Sequence, residues 1–170
     1  MSEYKVVVNE RGTFWYRLGT DILHREDGPA AEYADGTKAW WVDGKQDRLE
    51  GPAIEYADGA KMWYQNDELH REDGPAVEYA NGAKHWYQHG HSHRLDGPAV
   101  VRPNGDEKWL QYGQFHREDG PAVKYADGRE EYWIEGEEMT EEEFNRRTNS
   151  CDGRIVEVDG KKYKLTFIEE

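Results

Sequence analysis

The chain has little of what most small folds depend on. One of its 170 residues is cysteine, Cys151, so no disulfide can form within it and nothing ties it to an oxidising compartment. Apolar residues make up 36%, and no run approaches the length of a membrane span. Basic residues are outnumbered, 22 Lys and Arg against 36 Asp and Glu, for a formal charge of −14. Binding to phosphates needs a basic stripe, so direct nucleic-acid binding is not expected, and the same repulsion argues against an anionic membrane. The serines are Ser2, Ser92 and Ser150, none in a nucleophile context, and no phosphate loop, nucleophile elbow or zincin motif occurs. A protein that is not an enzyme, with no cofactor and no metal, is the expectation. The opening Met1-Ser-Glu-Tyr-Lys has no apolar leader, so a soluble, cytoplasmic protein is expected.

What is present is a repeat. Gly-Pro-Ala triplets start at Gly28, Gly51, Gly74, Gly97 and Gly120, 23 residues apart without insertion or deletion. Eight residues after each comes a second glycine, Gly36, Gly59, Gly82, Gly105 and Gly128, and four further an aromatic, Trp40, Trp63, Trp86, Trp109 and Tyr132. A period held this strictly implies a stacked array in which every unit meets the same neighbour geometry. With aromatics at 13%, the core is expected to be built from a few large rings.

Within a unit, Ala30 to Ala34 reads as a strand, Asp35-Gly36 as a two-residue hairpin turn and Thr37 to Val42 as the return strand. Asp43-Gly44 then releases the chain into a loop of about eight residues. The fold class expected is all-β, an elongated stack of hairpins rising ~10 Å per unit. Residues 1–22 form a degenerate opening hairpin, 23–138 the five repeats, and 139–170 a cap. In the cap, Thr140-Glu141-Glu142-Glu143 is a capping box for a helix to about Thr148, and Ile155 to Ile168 is a final hairpin turning at Asp159-Gly160. Helix and hairpin together are expected to close the exposed edge.

A two-residue turn sorts the side chains into faces. One face, expected to be core, takes Ala31, Ile54, Val77, Val100 and Val123, the tyrosines Tyr33, Tyr56, Tyr79 and Tyr125, and the Trp40 column. The other carries Glu32, Glu55 and Glu78 beside Trp41, Tyr64, Tyr87, Leu110 and Trp133. Rings interleaved with carboxylates either pack on the next hairpin or form an exposed strip that a partner covers. On the second reading Trp41, Tyr64, Tyr87, Trp133, Glu32, Glu55 and Glu78 are partner-binding residues. Glu137 and Glu138 in the acidic run of the cap join them as a contact for a basic protein.

The lead-in loop alternates. Leu23, Leu69 and Phe115 are followed three positions later by Glu26, Glu72 and Glu118, whereas Gln46 and Ser92 are followed by Leu49 and Leu95. Each unit is expected to bury one loop hydrophobe, in a 46-residue super-period. The histidines His24, His70, His93 and His116 recur at one position, which holds Asp47 in the second unit. Equivalent residues ~10 Å apart cannot converge on an ion held at ~2 Å, so a structural His-Arg-carboxylate network is expected. His85, His89, His91 and His93 lack carboxylate or cysteine support for a metal. Cys151 reads as a turn-flanking thiol.

The motif His-Arg-Glu-Asp-Gly-Pro-Ala-x-x-Tyr-x-Asp-Gly-x-x-x-Trp-Tyr, closest at His70 to Tyr87, resembles a MORN-like 23-residue repeat found in tailed bacteriophages and bacteria. The resemblance covers Leu23 to about Gly136. Standard MORN units have Gly-x-Gly where this chain has Gly-Pro-Ala. The family implies a hairpin stack serving as a scaffold or binding surface, and its phage members imply an accessory protein that inhibits a bacterial host protein. Phosphoinositide binding, attributed to some MORN proteins, fits poorly with a charge of −14. The leading expectation is a non-enzymatic protein binder with a basic partner that itself handles nucleic acid or serves defence. The alternatives are a small-molecule or nucleotide sponge, using rings and arginines between hairpins, and a structural scaffold.

Overall fold

The computed structural model describes residues 3–149 and 155–164. Among these, thirteen short antiparallel strands form one sheet in chain order, from Tyr4–Asn9 and Gly12–Arg17 at one end to Glu130–Ile134 and Glu137–Met139 at the other. The stack of hairpins is therefore all-β, with a single helix, Glu141–Asn149. Its capping box is reciprocal: the Glu143 N–H donates to Thr140 Oγ1 at 3.2 Å and the Thr140 N–H to Glu143 Oε2 at 2.9 Å. Phe144 is buried against the Tyr132 ring, 5.0 Å between centroids, which fastens the helix to the last repeat. Ile155–Val158 and Lys161–Lys164 pair as a separate hairpin around Asp159 and Gly160. Cys151, and the expected end of that hairpin at Ile168, lie outside the described residues.

Each unit folds as two hairpins, not one hairpin and a loop. The first crosses the main sheet, as Val77–Glu78 with Lys84–His85. In the first four units the second is a separate two-stranded ribbon, as Tyr87–Gln88 with His91–Ser92; in the fifth it continues the main sheet, as Glu130–Ile134 with Glu137–Met139. The turn types are the reverse of those the dipeptides suggest. Of Asp35-Gly36 only the glycine has positive φ, and the Tyr33 N–H donates to the Thr37 carbonyl at 2.8 Å, so three residues are looped out. The aspartate is used through its side chain: Asp35 Oδ1 accepts from the Thr37 N–H at 2.8 Å. Asp58, Asn81, Asn104 and Asp127 do the same. The two-residue turn with both residues left-handed is Asp43-Gly44, with φ of 52° and 78°. It recurs at 23-residue intervals, where Asn66, His89, Tyr112 and Glu135 take the first position.

The longer first turn moves the register by one residue. Ala31 pairs with Ala39, and Glu32 with Lys38, rather than Ala31 with Trp40. A slip of one exchanges the faces of the return strand. The expected core assignment of Trp40 and its equivalents is thereby corrected: the cluster Ala31, Ala39 and Ile54 is covered by Phe14, Trp41, Met62 and Tyr64. Tyr33, Tyr56 and Tyr79, also expected in the core, are exposed at its margin. On the opposite side the five alanines of Gly-Pro-Ala are fully buried, and their carbonyls accept from the preceding tryptophans, as Trp40 N–H to Ala53 at 2.8 Å.

The alternating loop hydrophobe is a second correction. Leu23, Leu69 and Phe115 are half-buried, but Leu49 and Leu95 are 86% and 75% exposed. The reason lies in direction: the lead-in residue pairs within the second ribbon, as Leu69 opposite Tyr64, whereas three residues on the chain has turned outward.

Candidate functional site: the loop edge

The lead-in loops form one edge of the stack, and an arginine organises each. Arg71 lies with its guanidinium carbon 4.1 Å from the centre of the Trp63 ring. Its Nε donates to Asp73 at 2.8 Å, and its Nη1 donates to the Pro75 carbonyl at 3.2 Å and to Glu78 at 3.4 Å. The stacking recurs as Arg25 on Trp15, Arg48 on Trp40, Arg94 on Trp86 and Arg117 on Trp109, all within 4.2 Å. The Gly-Pro-Ala glycine makes room for this. A Cβ on Gly28 would stand 2.8 Å from the Arg25 guanidinium carbon, and one on Gly74 3.0 Å from that of Arg71. In four units the Arg-x-Asp-Gly-Pro-Ala string is thus one clamp, locking the loop onto the tryptophan of the unit before it; in the second, Arg48-Leu49-Glu50 stands in its place, and Arg48 holds the Pro52 carbonyl and Glu55.

The preceding histidine caps the next turn. The Asp43 N–H donates to His24 Nδ1 at 3.0 Å, and the same bond joins His89 to His70, Tyr112 to His93 and Glu135 to His116. Asp47 does this work in the second unit, its carboxylate accepting from the Asn66 N–H at 2.8 Å. An Nδ1 that accepts a backbone N–H carries no proton. Burial holds His93 below the ordinary histidine range. Among the described residues no group of three or more His, Cys, Asp or Glu side chains is placed to hold a metal ion.

The residues expected to form a ring-and-carboxylate strip are divided between two faces. Trp41 and Tyr64 pack on the core cluster, and burial, with Tyr56, Tyr87 and Tyr79 nearby, raises the Tyr64 phenol above its usual range. Tyr87 is half-buried, its phenol likewise raised by burial. Trp133 stacks on Phe115 at 5.4 Å and donates to Glu131. Glu32, Glu55 and Glu78 turn the other way, toward Arg25, Arg48 and Arg71, at 3.9, 3.0 and 3.4 Å. At the cap Glu137 bonds to Arg147 at 3.2 Å, and Glu138 is exposed beside it.

Between successive loops the clamps leave grooves. One, of about 730 Å³, runs from Arg25 and Asp27 past Trp40 and Val42 to Leu49 and Glu50. Two more flank Leu95, one floored by Trp86 and one by Trp109. Carboxylates rim all three, among them Asp73, Asp96, Glu118 and Asp119. Leu49 and Leu95 stand two units apart, ~20 Å at the strand spacing. The sequence marks both by their alternation but not by their exposure. No helix among the described residues is long and apolar enough to cross a membrane. Neither a scan against protein-family models nor a search of curated proteins matches this chain.

Proposed function

We propose that the chain is a non-catalytic protein-binding module whose docking surface is the loop edge. One observation carries the reading: Leu49 and Leu95 are the most exposed large apolar side chains of the repeats, and they stand at equivalent positions two units apart. A solvated turn gains nothing from leucine there, whereas an interface anchors on apolar side chains ringed by polar ones. The surrounding carboxylates and the charge of −14 fit a partner with a basic groove and favour fast, salt-sensitive association. The acidic cap, with Glu137 and Glu138, extends the same field. The resemblance to phage repeat proteins supports an accessory inhibitor of a bacterial protein, acting in the host cytoplasm.

The test is capture from bacterial lysate on immobilised protein, run in parallel with the double variant Leu49→Asp, Leu95→Asp. A partner retained by the natural chain and lost from the variant supports the loop edge. Identical captures by both place any binding elsewhere.

A further inference from the structure

The repeat is so regular that its departures can be mapped, and several of them fall around one cleft. It measures about 490 Å³, opens between the first turns of the third and fourth units, and is bounded by Tyr79, Asn81, His85, Arg102, Pro103 and Asn104. The turn aspartate of Asp35, Asp58 and Asp127 is replaced by asparagine at Asn81 and Asn104, the two turns that border the cleft. The tyrosine of Tyr33, Tyr56, Tyr79 and Tyr125 becomes Arg102, and the alanine after it becomes Pro103. Where Ala39 and Met62 stand in the first two units, the third has His85 and the fourth Lys108.

Asn81, Asn104, Arg102 and Lys108 remove negative charge or add positive charge, while Asp106 and Glu107 add carboxylates where the first three units have Thr37 and Lys38, Ala60 and Lys61, and Ala83 and Lys84. The turns do not require the asparagines. Asn81 and Asn104 keep the turn bond through Oδ1, at 3.0 and 3.2 Å, as an aspartate would. What asparagine adds is an amide NH2, two donors where the other turns carry a carboxylate. Arg102 is half-exposed, 3.6 Å from Asp106. Tyr79 meets His85 edge to face, with ring centroids 5.1 Å apart. The imidazole is held below its usual range by burial, then by Arg102 and Lys108; of those two cations Arg102 lines the cleft, with Asp106 as its counter-charge.

We infer that this cleft is a binding site for a small planar aromatic anion, a ring bearing one carboxylate or phosphate. The ring lies against Tyr79 and Pro103, and the anionic group meets Arg102 and the amides of Asn81 and Asn104. The volume falls within the range of small-molecule sites, ~300–1,000 Å³. Apolar walls with a few convergent donors are what such a ligand requires. This site is separate from the loop edge and shares no residue with it, so either can fail without the other.

Phenyl phosphate and benzoate are the probes, with inorganic phosphate and benzyl alcohol as the two halves alone. Binding is read by NMR from the His85 ring and the Asn81 and Asn104 side-chain amides. The expected result is saturable shifts at those signals with at least one probe below ~10 mM, and binding of that probe tighter than either half. The variants restore what the repeat carries elsewhere, which protects the fold: Asn81→Asp with Asn104→Asp, and separately Arg102→Tyr. Each is expected to keep its melting temperature and weaken the probe about tenfold or more, the first by like-charge repulsion. No shift with either probe, equal binding of a half, or undiminished binding by the carboxylate variant overturns the inference. If one variant fails to fold, the other decides.

Discussion

The guanidinium carbon of Arg48 lies 3.8 Å from the centre of the Trp40 ring, and the two residues belong to successive units. That contact is the repeat's period expressed as chemistry. The tryptophan belongs to one hairpin and the arginine to the next loop, so the energy of stacking is available only when a neighbour is present. An array held this way couples its units through each clamp.

The clamp needs the shape of arginine as well as its charge. Arg71→Lys keeps a cation over Trp63 but cannot hold Asp73, the Pro75 carbonyl and Glu78 from one planar fork. A loss of about 1–2 kcal/mol in urea unfolding is expected. Gly74→Ala is expected to destabilise by a similar amount, because its Cβ meets the Arg71 guanidinium carbon at 3.0 Å. Paired with Arg71→Ala, which removes that obstacle, Gly74→Ala should add little further loss. A full additive loss in the double variant would mean that the glycine serves something other than the clamp.

His93 gives stability a pH dependence. Its folded pKa is depressed, so between the folded and unfolded values the unfolded chain binds more protons. The contribution is fully present above the unfolded value of about 6.5 and is lost as pH falls through the folded value. Protonation also turns the accepting Nδ1 into a donor facing the Tyr112 N–H, which stands 3.2 Å away. Unfolding midpoints should therefore fall from about pH 7.5 to about pH 5. His93→Asn supplies an acceptor that does not titrate, so part of that slope should disappear with little loss at neutral pH. An unchanged slope would remove His93 from the account.

The array, its opening hairpin and the helix were legible because they rest on signals spanning many residues: a 23-residue period, a capping box, an abrupt end to the repeat. The faces were not, because they hang on one turn. Asp35-Gly36 has the composition of a two-residue turn, and only the bond from the Thr37 N–H to Asp35 Oδ1 reveals the longer loop. One residue of register then sent Trp40 to the arginine side and Trp41 to the core. Asp47 is the opposite case. The sequence presents it as a gap in the histidine column, yet carboxylate and imidazole accept the same backbone N–H, and the function of the position is unbroken.

The leucines of the loop edge are predicted to be thermodynamically idle. Leu49→Asp and Leu95→Asp remove side chains that are largely in water, so the melting temperature should move by no more than ~0.5 kcal/mol would produce. A clear drop in either variant would show that these side chains are covered in solution, and the docking proposal would lose its anchor.

Trp63 and Tyr64 are neighbours in sequence on opposite faces, and their truncation separates the two halves of the architecture. Tyr64 covers the cluster of Ala31, Ala39 and Ile54, so Tyr64→Ala is expected to destabilise by about 2–3 kcal/mol through lost packing. Trp63 carries the Arg71 guanidinium, so Trp63→Ala removes both the stack and the cover it gives the loop, again about 2–3 kcal/mol. The two losses differ in what else changes. After Trp63→Ala, further replacement of Arg71 by lysine should cost much less than it does in the natural chain, since the clamp is already open. After Tyr64→Ala, the same replacement should retain its full effect, because no contact joins that ring to the guanidinium among those that define the clamp. Double-mutant cycles in urea measure both couplings. A coupling of Arg71 to Tyr64 as large as its coupling to Trp63 would mean that the faces are not separate, and the register argument would fail with them.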